Sequence, residues 1–83
     1  MEKTAYTPSQ LGQALRQCRK AGGRTQVQVG EAADLLPKTV SGLESSPERS
    51  QIGNLFKLIS ALGMELVLRP KVDEGRKPPA SEW

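Results

Sequence analysis

The sequence predicts one small, mainly α-helical domain of four to five helices that ends in a short β-strand and a tail. Apolar residues recur at helical spacing through most of residues 7–62, and Thr-Pro or Thr-Gln pairs stand where helices would begin. From residue 64 the pattern changes to an alternation of period two. We expect a folded domain over residues 1–69 and a tail over residues 70–83. Because so short a chain buries only about 60% of its unfolded surface, we also expect it to oligomerise.

The first helix is predicted from a complete start signal. Thr7 can cap the free N–H groups, Pro8 takes the first helical position, and Gln10 stands three residues after the cap. A Gly-Gly pair at residues 22–23 ends the helix. Its apolar face comprises Leu11, Ala14, Leu15 and Cys18, with the cysteine expected to be buried and unreactive.

Two short helices joined by a tight turn are predicted at residues 25–44. Thr25 caps the first of them, Asp34 tolerates the left-handed backbone that the turn requires, and Pro37 begins the second. The small Gly30 lets the second helix approach closely. The apolar residues that such a corner would bury are Val29, Leu35, Val40 and Leu43. This is the layout of a helix-turn-helix, which presents its second helix to the major groove of DNA.

A fourth helix follows a loop at residues 45–48. Ser50 is suited to cap this helix, and Gly63 ends it. Its apolar stripe comprises Ile52, Leu55, Phe56, Ile59 and Leu62.

Residues 64–69 are predicted to form one strand, whose apolar side comprises Met64, Leu66 and Leu68. A lone strand has no partner in its own chain, so we expect it to pair with the same strand of a second copy across a two-fold axis. The alternative is that the fourth helix continues through Leu68. From Pro70 onward, three prolines and mixed charges predict a disordered tail.

Composition and charge exclude several functional classes. The chain has no histidine and one cysteine, which argues against a Cys/His metal site, an intrachain disulfide and Ser-His catalysis. We expect no enzymatic activity, no cofactor and a cytoplasmic location. No apolar run resembles a signal peptide or approaches the roughly 20 residues of a membrane span. A net charge of +3 suits a binder of polyanions, and no acidic residue interrupts residues 3–24.

Similarity to a known family covers most of the chain. It rests on Thr25-Gln26, the small Gly30, Thr39-Val40-Ser41 and Glu44, on the flanking stretches YTPSQLGQALRQCRK and NLFKLISALGMELVL, and on the final Glu82-Trp83. The central residues resemble the Xre/Cro-type helix-turn-helix, and the whole set resembles the HipB antitoxins. The resemblance implies a homodimer held partly by an intersubunit strand pair. It also implies two partners, double-stranded operator DNA and a HipA-type kinase toxin.

The residues expected to read DNA bases lie at the start of the second motif helix and are Pro37, Lys38, Thr39 and Ser41. Lys38 can donate to guanine, Thr39 can bond a base or touch a thymine methyl, and the Pro37 ring suits such a methyl. The apolar pair Leu36-Pro37 departs from the HipB pattern, in which polar residues predominate at these positions. An ordinary solvated helix face is the alternative for Lys38 and Ser41.

The residues expected to contact DNA phosphates surround the start of the first motif helix, whose N-terminus attracts anions. They are Arg24, Thr25, Gln26 and Gln28. The resemblance assigns Gln26 to the DNA backbone, whereas helix capping is the alternative for Thr25. Three basic residues of the first helix either reach flanking phosphates or form a solvated face: Arg16, Arg19 and Lys20.

The predicted function is that of an antitoxin and transcriptional autorepressor that binds palindromic operator DNA as a homodimer. Trp83, the only tryptophan, is expected to anchor the tail in a pocket of the toxin, because HipB antitoxins also end in Trp. Docking on its own domain, or chance placement, is the alternative for Trp83. A stand-alone Xre-type regulator without a toxin is the alternative function, and a protein-interaction module that has lost DNA binding is a third.

Overall fold

The computed structural model describes residues 2–71 and contains four α-helices with one short 3₁₀ helix before the last of them. The helices are α1 (Pro8–Ala21), α2 (Gln26–Ala33), α3 (Pro37–Ser45) and α4 (Ile52–Ala61), and the 3₁₀ helix is Pro47–Arg49. The four predicted helices are therefore confirmed. The predicted tail lies outside the described residues except for residues 70 and 71, and the domain boundary at residue 69 stays a prediction.

Side-chain caps begin the first two helices. The Thr7 hydroxyl accepts from the Gln10 N–H at 3.1 Å, as predicted. The Gln10 side chain, in return, accepts from the N–H of Tyr6 at 2.6 Å, one residue ahead of the cap. At α2 the box is reciprocal, because Thr25 accepts from the Gln28 N–H at 3.1 Å and Gln28 accepts from the Thr25 N–H at 2.9 Å. Both starts are thus fixed by local hydrogen bonds.

Left-handed residues end the helices where the chain reverses. Asp34 closes α2 with φ 58°, and Gly23 and Gly63 follow α1 and α4 with φ 69° and φ 70°. The predicted conformation of Asp34 is confirmed. Gly30 permits the tight corner, because a Cβ at this position would lie 2.6 Å from the carbonyl oxygen of Leu35.

The core lies where all four helices meet. Its buried side chains are Leu15, Val29, Ala33, Val40, Leu43, Leu58 and Ile59. Half-buried apolar residues surround them, including Leu11, Leu35, Leu55, Leu62 and Met64. α1 reaches α3 closely at Gly12, where a Cβ would overlap the carbonyl oxygen of Glu44. α3 is therefore held from both sides, by α1 and by α2.

Three details differ from the sequence-based expectations. Gln51 rather than Ser50 precedes α4, because the Ser50 N–H bonds to the Pro47 carbonyl and completes the 3₁₀ helix. Ile52 and Phe56 are 70% and 49% exposed, so the predicted stripe of α4 is only partly buried. Cys18 is half-buried rather than fully buried.

The segment after α4 leaves the helix abruptly. Gly63 turns the chain, and the Met64 N–H donates to the Ile59 carbonyl at 3.0 Å, so the alternative of a helix continuing through Leu68 is wrong. Residues 64–69 form neither helix nor strand within the described single chain. Met64 packs on the core, whereas Leu66 and Leu68 are exposed. The strand pairing between two copies stays a prediction, since it requires a second chain. None of the helices in residues 2–71 is long and apolar enough to cross a membrane.

Candidate nucleic-acid interface

The start of α3 projects from the domain. Pro37, Lys38 and Ser41 are exposed, and Thr39 is half-buried. Leu36, just ahead of the helix, is 71% exposed. The structure thus brings the four residues predicted to read bases to one end and one side of a short exposed helix.

The position of this end is set by the opposite face of α3. Val40 and Leu43 are completely buried and fix the rotation of the helix about its axis. The Leu36 carbonyl accepts from the N–H groups of Thr39 and Val40 at 2.9 Å and 3.1 Å, while no side chain caps the helix. Pro37 occupies the first position, where its missing N–H costs nothing. The first turn of α3 is therefore held by its backbone and the core.

The start of α2 offers free backbone donors beside α3. The N–H groups of Gln26 and Val27 have no acceptor within residues 2–71. They lie at the positive end of the helix dipole, which favours a phosphate. The side chains of Thr25 and Gln28 form the capping box, so the capping alternative holds for both. Their contribution to phosphate binding is then chiefly to fix this end of the helix.

An open depression of about 570 Å³ joins the two helix starts. Its lining includes Lys20, Arg24, Thr25, Gln26, Val27 and Pro37. Three of the four residues predicted to contact phosphate therefore lie beside Pro37, which was predicted to contact bases. The fourth, Gln28, is exposed on α2 but lies outside this lining.

A buried ion pair beneath the depression was not foreseen. The Arg19 guanidinium donates to both carboxylate oxygens of Glu44, at 2.7 Å and 3.0 Å, and its remaining arm donates to the Arg24 carbonyl at 2.9 Å. Arg19 is only 8% exposed. The expectation that it reaches a flanking phosphate, or lies solvated, is therefore wrong. Arg16 and Lys20 are exposed, as either alternative requires.

The same carboxylate also orients a predicted DNA-contact residue. Gln26 donates its side-chain amide to Glu44 at 3.2 Å. The hydrogen bonds from Arg19 to Glu44 also raise the pKa of Arg19 above its ordinary value, against the opposing effect of burial. One carboxylate at the C-terminal half of α3 thus ties together α1, the start of α2 and α3. Among residues 2–71, no group of three or more cysteine or acidic residues is placed to hold a metal ion.

Comparison with known proteins agrees with this geometry. A family model described as helix-turn-helix matches residues 15–68, which is more than half of the chain. The chain belongs to the helix-turn-helix family. This is a DNA-binding class and not a class of enzymes. The match includes the whole of α2, α3 and α4, so the interface described above lies inside the family's common domain.

The more similar relatives of this helix-turn-helix protein are antitoxins. It is 27% identical over 63 residues to antitoxin HipB of Escherichia coli K12, an overlap of 76% of this chain and 72% of that protein. Antitoxin HipB of Escherichia coli O6:H1 strain CFT073 has the same identity, with 67% of its length covered. The resemblance to HipB that the sequence indicated is therefore confirmed.

Solved structures of HipB share the fold. A HipB-O4 20mer complex aligns with a TM-score of 0.77 at 25% identity, covering 82% of this chain and 96% of that one. A HipA-HipB-O2-O3 complex aligns with a TM-score of 0.76 at the same identity and coverage. The fold is thus mainly helical and HipB-like.

Proposed function

We propose that the protein is an antitoxin and transcriptional autorepressor of a HipBA-type module. It binds palindromic operator DNA as a homodimer and binds a HipA-type kinase toxin. The observation that carries the proposal is the joint exposure of the α2 and α3 starts around one basic depression, in a chain that is similar to HipB along most of its length.

The DNA-binding part assigns roles by position. Pro37, Lys38, Thr39 and Ser41 contact base edges from the first turns of α3. Phosphates are bound at the start of α2 by the free N–H groups of Gln26 and Val27, with Arg24 adding charge. Gln28 and Thr25 support this end of α2 through the capping box.

The dimer is proposed to form through residues 64–69. Leu66 and Leu68 are 45% and 92% exposed in the single chain, which leaves large apolar side chains in water at one side of the segment. Pairing two such segments satisfies their backbone groups and covers these side chains. A two-fold dimer then presents two copies of α3 to two half-sites separated by about one helical turn of DNA or a multiple of it.

Binding of the chain to the promoter DNA upstream of its own gene tests the DNA-binding part. A fluorescein-labelled promoter duplex is titrated in anisotropy at several salt concentrations, with a duplex of shuffled sequence as competitor. We expect the promoter to be preferred, and affinity to fall steeply as salt rises, because several phosphates are neutralised. Equal affinity for promoter and shuffled duplex would contradict autorepression.

The second candidate function is a stand-alone Xre-type regulator without a toxin. It is favoured by the extent of the family match, which ends at residue 68 and leaves out the tail. Trp83, proposed as the toxin anchor, lies outside the described residues.

Deletion of residues 80–83 separates the two candidates. The full chain and the deletion variant are each titrated against promoter DNA and against a kinase-like protein encoded beside the gene. An antitoxin loses binding of that protein while keeping its DNA affinity. A full chain that binds DNA but not the neighbouring protein supports the stand-alone regulator instead.

A further inference from the structure

An apolar patch lies at the centre of the candidate interface. It consists of Val27, Leu36 and Pro37. Val27 is 51% exposed and Leu36 is 71% exposed, and Pro37 is exposed as well. Leu36 directly precedes Pro37, and Val27 and Pro37 line the same open depression. Such side chains are normally kept from water, so a contiguous exposed set beside a binding site indicates a contact surface.

The same region is poor in hydrogen-bond donors and acceptors. The Leu36 side chain has none, and Pro37 lacks even a backbone N–H. Thr39 is half-buried. Lys38 therefore supplies most of the donors in the first turn of α3, with Ser41 one turn further along. Direct reading of several bases by bidentate hydrogen bonds is not available to such a surface.

The charged residues around the patch decide between possible occupants. Lys20 and Arg24 line the depression together with Val27 and Pro37, and the free N–H groups of α2 open beside them. A duplex held by these cations presents the edges of its bases to the patch. In the major groove of unmodified DNA, the only apolar group on a base edge is the 5-methyl of thymine.

We propose that Val27, Leu36 and Pro37 read pyrimidine 5-methyl groups, so that the half-site is specified chiefly by the positions of its thymines. The inference rests on the proposed DNA-binding function and names the base feature that this function recognises. Lys38 adds one polar contact to a neighbouring base or phosphate. A 5-methylcytosine carries the same group, but thymine is its source in unmethylated DNA.

The test begins with selection of binding sites. A library of duplexes with a randomised centre is amplified from the four ordinary deoxynucleotides, so thymine is its only source of the 5-methyl group, and is enriched on the purified full chain. The enriched duplexes are then made again with deoxyuridine in place of thymidine. This change removes the methyl groups and retains base pairing. The affinities of both forms are measured for the unaltered protein and for Leu36→Ala and Lys38→Ala.

The unaltered protein is expected to bind the deoxyuridine duplex about fourfold more weakly for each methyl group in contact, which corresponds to burial of one CH₂-sized group. Leu36→Ala is expected to bind the thymine duplex more weakly and to discriminate less between the two forms. Lys38→Ala is expected to lose affinity for both forms while keeping their ratio. Because Leu36 is largely exposed, the Leu36→Ala variant should fold normally, which its thermal unfolding checks.

Equal affinity of the unaltered protein for the two duplexes would overturn the inference and leave the DNA-binding function intact. A ratio that Leu36→Ala does not change would overturn it as well, since the effect would then come from DNA shape. Failure of any duplex to be enriched would instead refute the proposed DNA-binding function. In that case the patch is a surface for a protein partner.

Discussion

At the scale of single residues, Glu44 has the largest structural role in the interface region. Its carboxylate accepts two hydrogen bonds from Arg19 and one from Gln26, and its side chain is only 4% exposed. Loss of the negative charge leaves the Arg19 guanidinium buried without its counter-ion. The cost of that state falls on the folded protein alone, because water solvates the guanidinium in the unfolded chain.

Glu44→Gln is therefore expected to lower the free energy of unfolding by about 3 kcal/mol, near the lower end of the range for a broken buried pair. Urea unfolding followed by circular dichroism measures this change. The matched control is Glu31→Gln, which alters an exposed glutamate of α2 and should change the free energy by less than about 0.5 kcal/mol. Equal unfolding midpoints for the two variants would show that the ion pair is not stabilising.

The direction of the Arg19 pKa shift gives a companion expectation. Hydrogen bonding to Glu44 raises the pKa of Arg19, so the folded state favours its charged form. That contribution to stability is complete below the pKa of the unfolded chain and is lost only as pH rises through the raised folded value. Titration of Arg19 should thus add no slope to the unfolding free energy between about pH 6 and pH 9. A slope that disappears in Arg19→Met would contradict this.

The Arg19 pair also shows where residue-level reading of the sequence stops. Arg19 belongs to a run of basic residues on α1, and such a run indicates a solvated or phosphate-binding face. Its burial depends on Glu44, which lies 25 positions later in the chain. Only the packing of α1 against α3 brings the two together. The available signal was Gly12, a small residue on α1 that allows this close approach, but glycine within a helix has several possible reasons.

At the scale of elements, the corner between α2 and α3 depends on the absence of a side chain at Gly30. The Leu35 N–H donates to the Gly30 carbonyl at 2.8 Å, and the Leu35 carbonyl lies over the position that a Cβ would occupy. The atom in the way belongs to the backbone, so it moves only if the turn moves. The angle between the two helices is set by this contact.

Gly30→Ala is expected to destabilise the domain by about 1–3 kcal/mol, the usual cost of forcing an extra group into a packed site. Gly42→Ala is the matched control, because Gly42 lies within α3 and a Cβ there meets nothing within 4 Å. It should stabilise the helix by about 0.5–1 kcal/mol. The midpoints of thermal unfolding should therefore shift in opposite directions. Stabilisation by both substitutions would show that the corner is looser than described.

Elements with local signals were predictable, and those set by neighbours were not. Thr7, Thr25, Asp34 and Pro37 act through hydrogen bonds or backbone angles within a few residues, and all four stand where the sequence indicated. The start of α4 differs because the 3₁₀ helix takes the Ser50 N–H for its own last bond. The exposure of Ile52 was also unpredictable, because the spacing of apolar residues does not say whether the same chain or a second one covers them.

At the scale of the whole molecule, the alternation after α4 predicts how two copies meet. Leu68 and Val67 are both exposed in the single chain, at 92% and 66%. Their side chains point to opposite sides if the segment becomes a strand, because successive residues of a strand alternate. In the proposed dimer only the side that carries Leu66 and Leu68 is covered.

Leu68→Asp is therefore expected to weaken the dimer at least tenfold, because it places a charge in the apolar contact between the two copies. Val67→Asp is the matched control on the other side and should leave the dimer intact. Sedimentation velocity over a range of protein concentrations measures both. A monomeric unaltered protein, or equal loss of dimer in the two variants, would contradict pairing through residues 64–69.

DNA recognition depends most directly on the exposed first turn of α3, and affinity for promoter DNA is the measurement that tests it. Lys38→Ala removes a base-facing cation, whereas Lys57→Ala removes an exposed cation of α4 outside the depression. Both variants lose the same charge, so long-range attraction of DNA falls alike. We predict that Lys38→Ala weakens promoter binding by about tenfold or more, corresponding to about 1–3 kcal/mol, and that Lys57→Ala stays close to the unaltered protein. Equal affinities for the two variants would contradict placement of α3 in the major groove.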